Sequence, residues 1–122
     1  MRTKVQVKLS EVYSGISSLE CPCCHESYLH QSIVEVYNRR EDDEQVRCTI
    51  VDSGNVHSQA LPNSASNNPS SRRQGLIIHF ECEHCGDTDL QLRIAQHKGY
   101  TFMDWEYDDG NDTGRQSQEE GR

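Results

Sequence analysis

The chain predicts a mainly β fold, an antiparallel sheet pinned by a metal site, and three observations lead there. Apolar and polar residues alternate in short runs, as at Val5, Val7 and Leu9, with the period of two that a half-buried strand requires. Lys98-Gly99 separates two such runs by the length of a tight hairpin turn. Two CxxC pairs, Cys21-Pro22-Cys23-Cys24 and Cys82-Glu83-His84-Cys85, lie on either side of a long insertion. Two residues between cysteines let a tight turn aim both thiolates at one point, and four thiolates so placed can enclose one tetrahedral ion.

Val5 to Leu9 reads as a short strand entering the first CxxC pair. After that pair, Tyr28 to Asn38 is rich in β-branched and aromatic residues (Ile33, Val34, Val36, Tyr37) and reads as a second strand. Val46 to Val51 reads as a third. Glu41-Asp42-Asp43-Glu44 between them has the composition of an exposed turn, so the two strands form a hairpin. Cys48 then shares a face with Val46 and Ile50, which makes it a small buried hydrophobe and not a ligand.

Residues 53–74 carry many Ser and Asn and few large apolar groups, and are expected to be a long mobile loop. Asn68-Pro69-Ser70-Ser71-Arg72-Arg73 at its end is the part expected to order against a partner. Gly75 to Glu81 is a strand running into the second CxxC pair.

Leu90–His97 and Tyr100–Tyr107 then pair across Lys98-Gly99, with Ile94 opposite Met103, Leu92 opposite Trp105 and Leu90 opposite Tyr107. The same register sets Arg93 against Asp104 on the other face. From Asp108 onward no apolar residue appears, as in a disordered acidic tail. The expected organisation is one metal-stapled β domain over 1–107 and a tail over 108–122.

Only 33% of the 122 residues are hydrophobic, which is low for a self-sufficient core. A structural metal would supply what the core lacks. Twenty acidic residues against twelve basic ones give a net charge of −8, a field that repels nucleic acid. No run approaches the roughly 20 apolar residues of a membrane span, and the first residues lack a secretory signal. The expectation is a cytoplasmic protein whose cysteines hold metal and are not paired in disulfides.

The predicted ligands are Cys21, Cys24, Cys82 and Cys85, holding one structural Zn²⁺. Displacement by Cys23 stays open, as does a nitrogen from His25, His30 or His84. Four cysteines close the coordination shell, whereas a catalytic zinc keeps a position for water. No phosphate loop or nucleophile elbow appears, so the expectation is a protein that is not an enzyme.

Cys21-Pro22-Cys23-Cys24 and Cys82-Glu83-His84-Cys85-Gly86 resemble the zinc-ribbon family, in which two hairpin knuckles hold one zinc. The first knuckle departs from that pattern by placing His25 where Gly is usual. Asn68 to Arg73, Phe80 to Gly86 and Ile94 to Gly99 are together similar to small uncharacterised zinc-ribbon proteins of bacteria and their phages. The resemblance implies a small accessory or regulatory protein and supplies no activity.

The functional expectation is a zinc-binding module for protein–protein interaction with a basic partner. Its candidate contact residues are Arg72, Arg73, Glu41, Asp42, Asp43 and Glu44. The alternative is a nucleic-acid-binding protein in transcription, using Arg39, Arg40, Arg72 and Arg73.

Overall fold

The computed structural model describes residues 2–108, and among these the chain is mainly β, with no α-helix. The strands are β1 (Arg2–Gln6), β2 (Leu9–Tyr13), β3 (Ile16–Leu19), β4 (Leu29–Asn38), β5 (Gln45–Asp52), β6 (Asn55–Pro62), β7 (Gly75–Cys82), β8 (Gly86–His97) and β9 (Tyr100–Asp108). Seven form one antiparallel sheet in the order β1-β9-β8-β7-β4-β5-β6. β2 and β3 make a separate hairpin. Among the described residues no helix is long and apolar enough to cross a membrane.

Alternation along the strands gives the sheet two unlike faces. One face carries a row that crosses all seven strands through Val5, Trp105, Leu92, Ile78, Val34, Val51 and Val56. Its burial falls along the row, from Trp105 at 1% exposed to Val56 at 68%. The buried end forms the larger core with Cys21, Phe80, Cys82 and Leu90. The opposite face holds a smaller core of Tyr37, Val46, Cys48 and Ile77, with Ile50 and Leu61 against it. Cys48 therefore lies with Val46 and Ile50 as the alternation predicts.

The β8–β9 register agrees with the sequence at Leu92–Trp105, Ile94–Met103 and Arg93–Asp104, and the ladder runs from Gln91–Glu106 to His97–Tyr100. Lys98 (φ 51°) and Gly99 (φ 84°) both take the left-handed backbone of a two-residue turn. Arg93 stands opposite Asp104 and attracts its carboxylate, but its close ion pair is with another residue. Arg93 sends its guanidinium to Glu106 (Nε–Oε2 3.3 Å), a residue that also holds Arg2 (Nε–Oε1 3.3 Å).

Two expectations are corrected. The first strand ends at Gln6, and Leu9 opens a hairpin that turns at Gly15 (φ 79°). The stretch 53–74 is not a loop throughout. Ser53 (φ 53°) and Gly54 (φ 84°) form a two-residue turn, and β6 then pairs with β5 over its full length, from Asp52–Asn55 to Gln45–Pro62. Its polar composition reflects an edge strand held by backbone hydrogen bonds, with little side-chain burial.

The remainder of that stretch folds back against the sheet. The Asn68 side-chain amide donates to Asn63 Oδ1 and to the Arg73 carbonyl, and the Ser70 hydroxyl donates to the Gln96 carbonyl at 2.6 Å. Gly75 is fixed by this packing, because a Cβ there would stand 2.2 Å from Asn68 Oδ1 and 2.6 Å from the Pro69 ring. The expected tail over 108–122 lies outside the described residues except for Asp108, the last residue of β9.

Candidate metal centre

The first CxxC pair follows β3 and the second joins β7 to β8, so one comes from the hairpin and the other from the sheet. In the first knuckle the His25 N–H donates to the Cys21 carbonyl at 2.9 Å, and the Cys21 N–H donates to the Glu26 carbonyl at 2.8 Å. The Cys23 N–H points at Cys21 Sγ, 3.4 Å away. In the second, Cys82 faces Gly86 across the β7–β8 ladder, and the Glu83 N–H donates to the Tyr28 carbonyl at 3.0 Å. The residue after each pair has left-handed backbone: Gly86 at φ 77° and His25 at φ 67°. His25 thus does what glycine does in the second turn, at the conformational cost that a side chain brings.

The four sulfurs of Cys21, Cys24, Cys82 and Cys85 lie within 4.8 Å of one another. Cys21 and Cys85 are 3.7 Å apart and Cys24 and Cys82 3.6 Å apart. A tetrahedron with sulfur–metal bonds of about 2.3 Å has edges of roughly 3.8 Å. These four cysteines can therefore hold a metal ion. The six cysteines are free thiols, and Cys23 and Cys48 are not members of the group. Among the described residues no histidine joins it either. His84 stacks on Tyr28, and His30 pairs with Glu83.

The surroundings are apolar. Cys21 and Cys82 are buried in the core with Phe80, Leu90, Leu92 and Trp105, and the Phe80 and Trp105 rings meet edge to face at 5.5 Å. Burial pushes the Cys85 thiol up, and the Cys24, Cys21 and Cys82 sulfurs push it further. For Cys82, burial pushes up as well, but the His84 and Cys85 N–H groups and the Cys24 and Cys21 thiols outweigh it and bring it down. Four thiolates this close in an apolar pocket repel one another, and a divalent cation removes that repulsion as it displaces their protons.

The other sequence-derived residues lie at the far end of β4 and β7. Arg72 Nη2 reaches Glu41 Oε2 at 2.6 Å and Asp42 Oδ2 at 3.0 Å, and the Asp42 N–H donates to the Arg72 carbonyl at 2.8 Å. The acidic turn and the Arg72 segment are thus one internally paired unit. Gln45 N–H donates to Asp43 Oδ1, while the Glu44 carbonyl accepts from Asn63 N–H. Arg73 is exposed, and its N–H is held by the Ser70 hydroxyl. Arg39 is buried and donates from Nε to the Asp43 carbonyl.

One cluster escaped the sequence reading. His79 donates from Nε2 to Glu35 Oε2 at 2.5 Å and from Nδ1 to Asp89 Oδ1 at 2.9 Å, and the Tyr37 hydroxyl also donates to Glu35. The Glu35 bond leads in pushing the His79 imidazole up, against burial, and the same bond brings Glu35 down. Alternation along Gly75 to Glu81 puts His79 opposite the face of Phe80, but nothing in the sequence pairs it with β4 and β8.

Comparison of the chain with protein families, with characterised proteins and with solved structures finds no match.

Proposed function

We propose that this protein is a non-enzymatic module that binds a protein partner, and that its four cysteines hold one structural Zn²⁺. Four sulfurs fill a tetrahedral shell, and soft thiolates in that geometry suit zinc. Free thiols fit a reducing compartment, the cytoplasm. A role as a small regulatory or inhibitory protein of bacterial or phage origin rests on the sequence resemblance alone.

The observation that carries partner binding is the β2–β3 hairpin. Leu9, Val12, Tyr13 and Ile16 each expose more than half of their surface within these two short strands. Clustered apolar exposure of this kind marks interaction surfaces, and a buried Tyr is a common anchor in them. The hairpin's base is tied to the metal site, since the Glu20 N–H donates to the Lys8 carbonyl and Leu19 packs beside Cys21. Zinc would thereby hold the hairpin in a fixed pose, lowering the ordering cost of docking. The net charge of −8 suits a basic partner.

Tagged wild-type protein and a Tyr13→Ser/Ile16→Ser variant, each loaded with Co²⁺, test this in an extract of the encoding organism. The expected result is a specific partner retained by the wild type and lost from the variant, with identical thiolate-to-cobalt spectra. Equal retention by both would remove the hairpin from the binding surface. Partner affinity unchanged at several times physiological salt would remove charge as a contributor.

The nucleic-acid reading draws on one feature. The ends of β4 and β8 and the start of β7 gather Arg39, Arg40, Arg73 and Lys98 at one end of the sheet. Against it, Arg39 is buried and Arg72 is spent on Glu41 and Asp42. Anisotropy titration with labelled single- and double-stranded DNA and RNA at low salt decides it, and no binding at high micromolar protein eliminates it.

A further inference from the structure

We infer that β6 is a pairing edge, and that a second copy of this chain adds to it to make a continuous sheet. β1 and β6 are the two outer strands of the seven-stranded sheet. An outer strand presents one row of backbone N–H and C=O groups outward, and soluble proteins block such rows with short length, charge, bulges or proline. β1 is blocked in this way, being five residues long with Arg2 and Lys4 in it. β6 is eight residues long, pairs with β5 without a bulge, and contains no Lys, Arg, Asp or Glu. Its proline, Pro62, stands at the very end, where it leaves the rest of the row open. Every residue of β6 except Leu61 is exposed.

Charge selects the occupant. Ser53 to Ser71 contains no Lys, Arg, Asp or Glu, in a chain that is 26% charged. Two copies carrying −8 each repel at most approaches, but along β6 they meet without facing acids. An antiparallel pair about a twofold axis perpendicular to the sheet keeps like faces on one side. The apolar face that reaches the edge through Val51 (36% exposed) and Val56 (68%) would then continue on the same side of the second copy. A charged foreign strand gains nothing from this edge that water does not already give it, whereas a second β6 brings a matching uncharged strand with its own half of the apolar face. The pair is isologous, so it closes at two copies and does not propagate. This inference is independent of the hairpin proposed above for the partner.

Analytical ultracentrifugation of the metal-loaded full chain tests it. The expected mass is twice the 14.0 kDa of one chain at about 100 micromolar. Val56→Lys/Gln59→Lys, which puts two cations on the edge, should weaken the dimer at least about tenfold while cobalt spectrum and far-ultraviolet circular dichroism stay unchanged. Gln6→Lys on β1 should leave the dimer intact. A monomer at about 100 micromolar would overturn the inference. So would a dimer that survives the β6 lysines but not the β1 lysine. A wild-type monomer that instead takes up an uncharged extended peptide at β6 would assign the edge to a foreign strand and refute self-pairing. Hairpin-dependent partner capture is read separately, so either proposal can fail alone.

Discussion

At the metal end of the sheet, Cys21 and Cys82 are buried among Phe80, Leu90, Leu92 and Trp105, and two sulfur-bearing turns meet there. On the other face, Tyr37, Val46, Cys48 and Ile77 pack as a second core with no ligand cluster, fringed by the polar set Glu35, His79 and Asp89. Both cores are small, and each is completed by something other than apolar area. The first has four cysteines that can hold a cation between the hairpin and the sheet, the second a histidine that joins β4, β7 and β8. The difference is one of reach: a metal on the four cysteines would fix pieces that the ladder does not connect, whereas the histidine reinforces strands already hydrogen-bonded.

The largest way to separate the two cores is to remove one ligand. Cys82→Ser should lose metal and cooperative unfolding, because structural zinc can contribute about 10 to 16 kcal/mol of apparent binding energy. Cys48→Ser, buried in the second core, should keep one metal per chain and cost about 1 to 3 kcal/mol for a hydroxyl placed where a thiol packed. Metal titration with thermal unfolding of both variants makes the comparison. A cooperatively folded, metal-free Cys82→Ser protein would mean the first core stands without its cation.

A smaller effect sharpens the role of the second core. His79 donates from both ring nitrogens to carboxylates, an arrangement that favours the imidazolium. Its folded pKa is raised above the ordinary 6.5, so its contribution is fully present below 6.5 and is lost as pH rises through the raised value. Glu35 is lowered from 4.5, so its share is present above 4.5 and fades as pH falls through the lowered value. The pair therefore works best between 4.5 and 6.5. The groups around the ring are Glu35 and Tyr37 from β4 and Asp89 and Gln91 from β8, with Arg93 acting on Glu35. His79→Gln should be less stable than wild type at pH 6, with the gap closing as pH rises through the raised value and the wild-type imidazole discharges. A gap constant over that range would show that the ring acts by packing alone.

Where the sequence was readable, a local rule decided the outcome. Alternation and the Lys98-Gly99 turn set the β8–β9 register, and CxxC spacing brought the four cysteines together. Where it failed, the deciding term was non-local. β6 carries Val56, Ala60 and Leu61 among polar residues, because an edge strand needs backbone pairing and not apolar alternation. The Ser53-Gly54 and Ser14-Gly15 turns were local signals that could have revealed β6 and the β2–β3 hairpin. Charge partners could be read only in part. Long side chains reach past the opposite residue, so Arg93, which stands opposite Asp104 and attracts its carboxylate, makes its close ion pair with Glu106.

Arg72 provides the smallest test of the same comparison, at the end of the sheet farthest from the metal. It pairs with Glu41 and Asp42, whose side chains are more than half exposed, so solvent and salt screen the interaction. Exposed pairs of this kind contribute about 0 to 1 kcal/mol, and Arg72→Ala should stay within that range with metal content unchanged. The backbone ties in this segment, from Asp42 N–H to the Arg72 carbonyl and from Ser70 to Gln96, do not depend on the guanidinium. Urea unfolding at low and high salt measures the difference. A loss well above 1 kcal/mol, insensitive to salt, would mean that the far end is organised by its arginine as the near end is by its metal. A small, salt-dependent loss would place the organisation of that end in its backbone and in the Asn68–Gly75 packing, leaving the acidic turn free to exchange Arg72 for another cation.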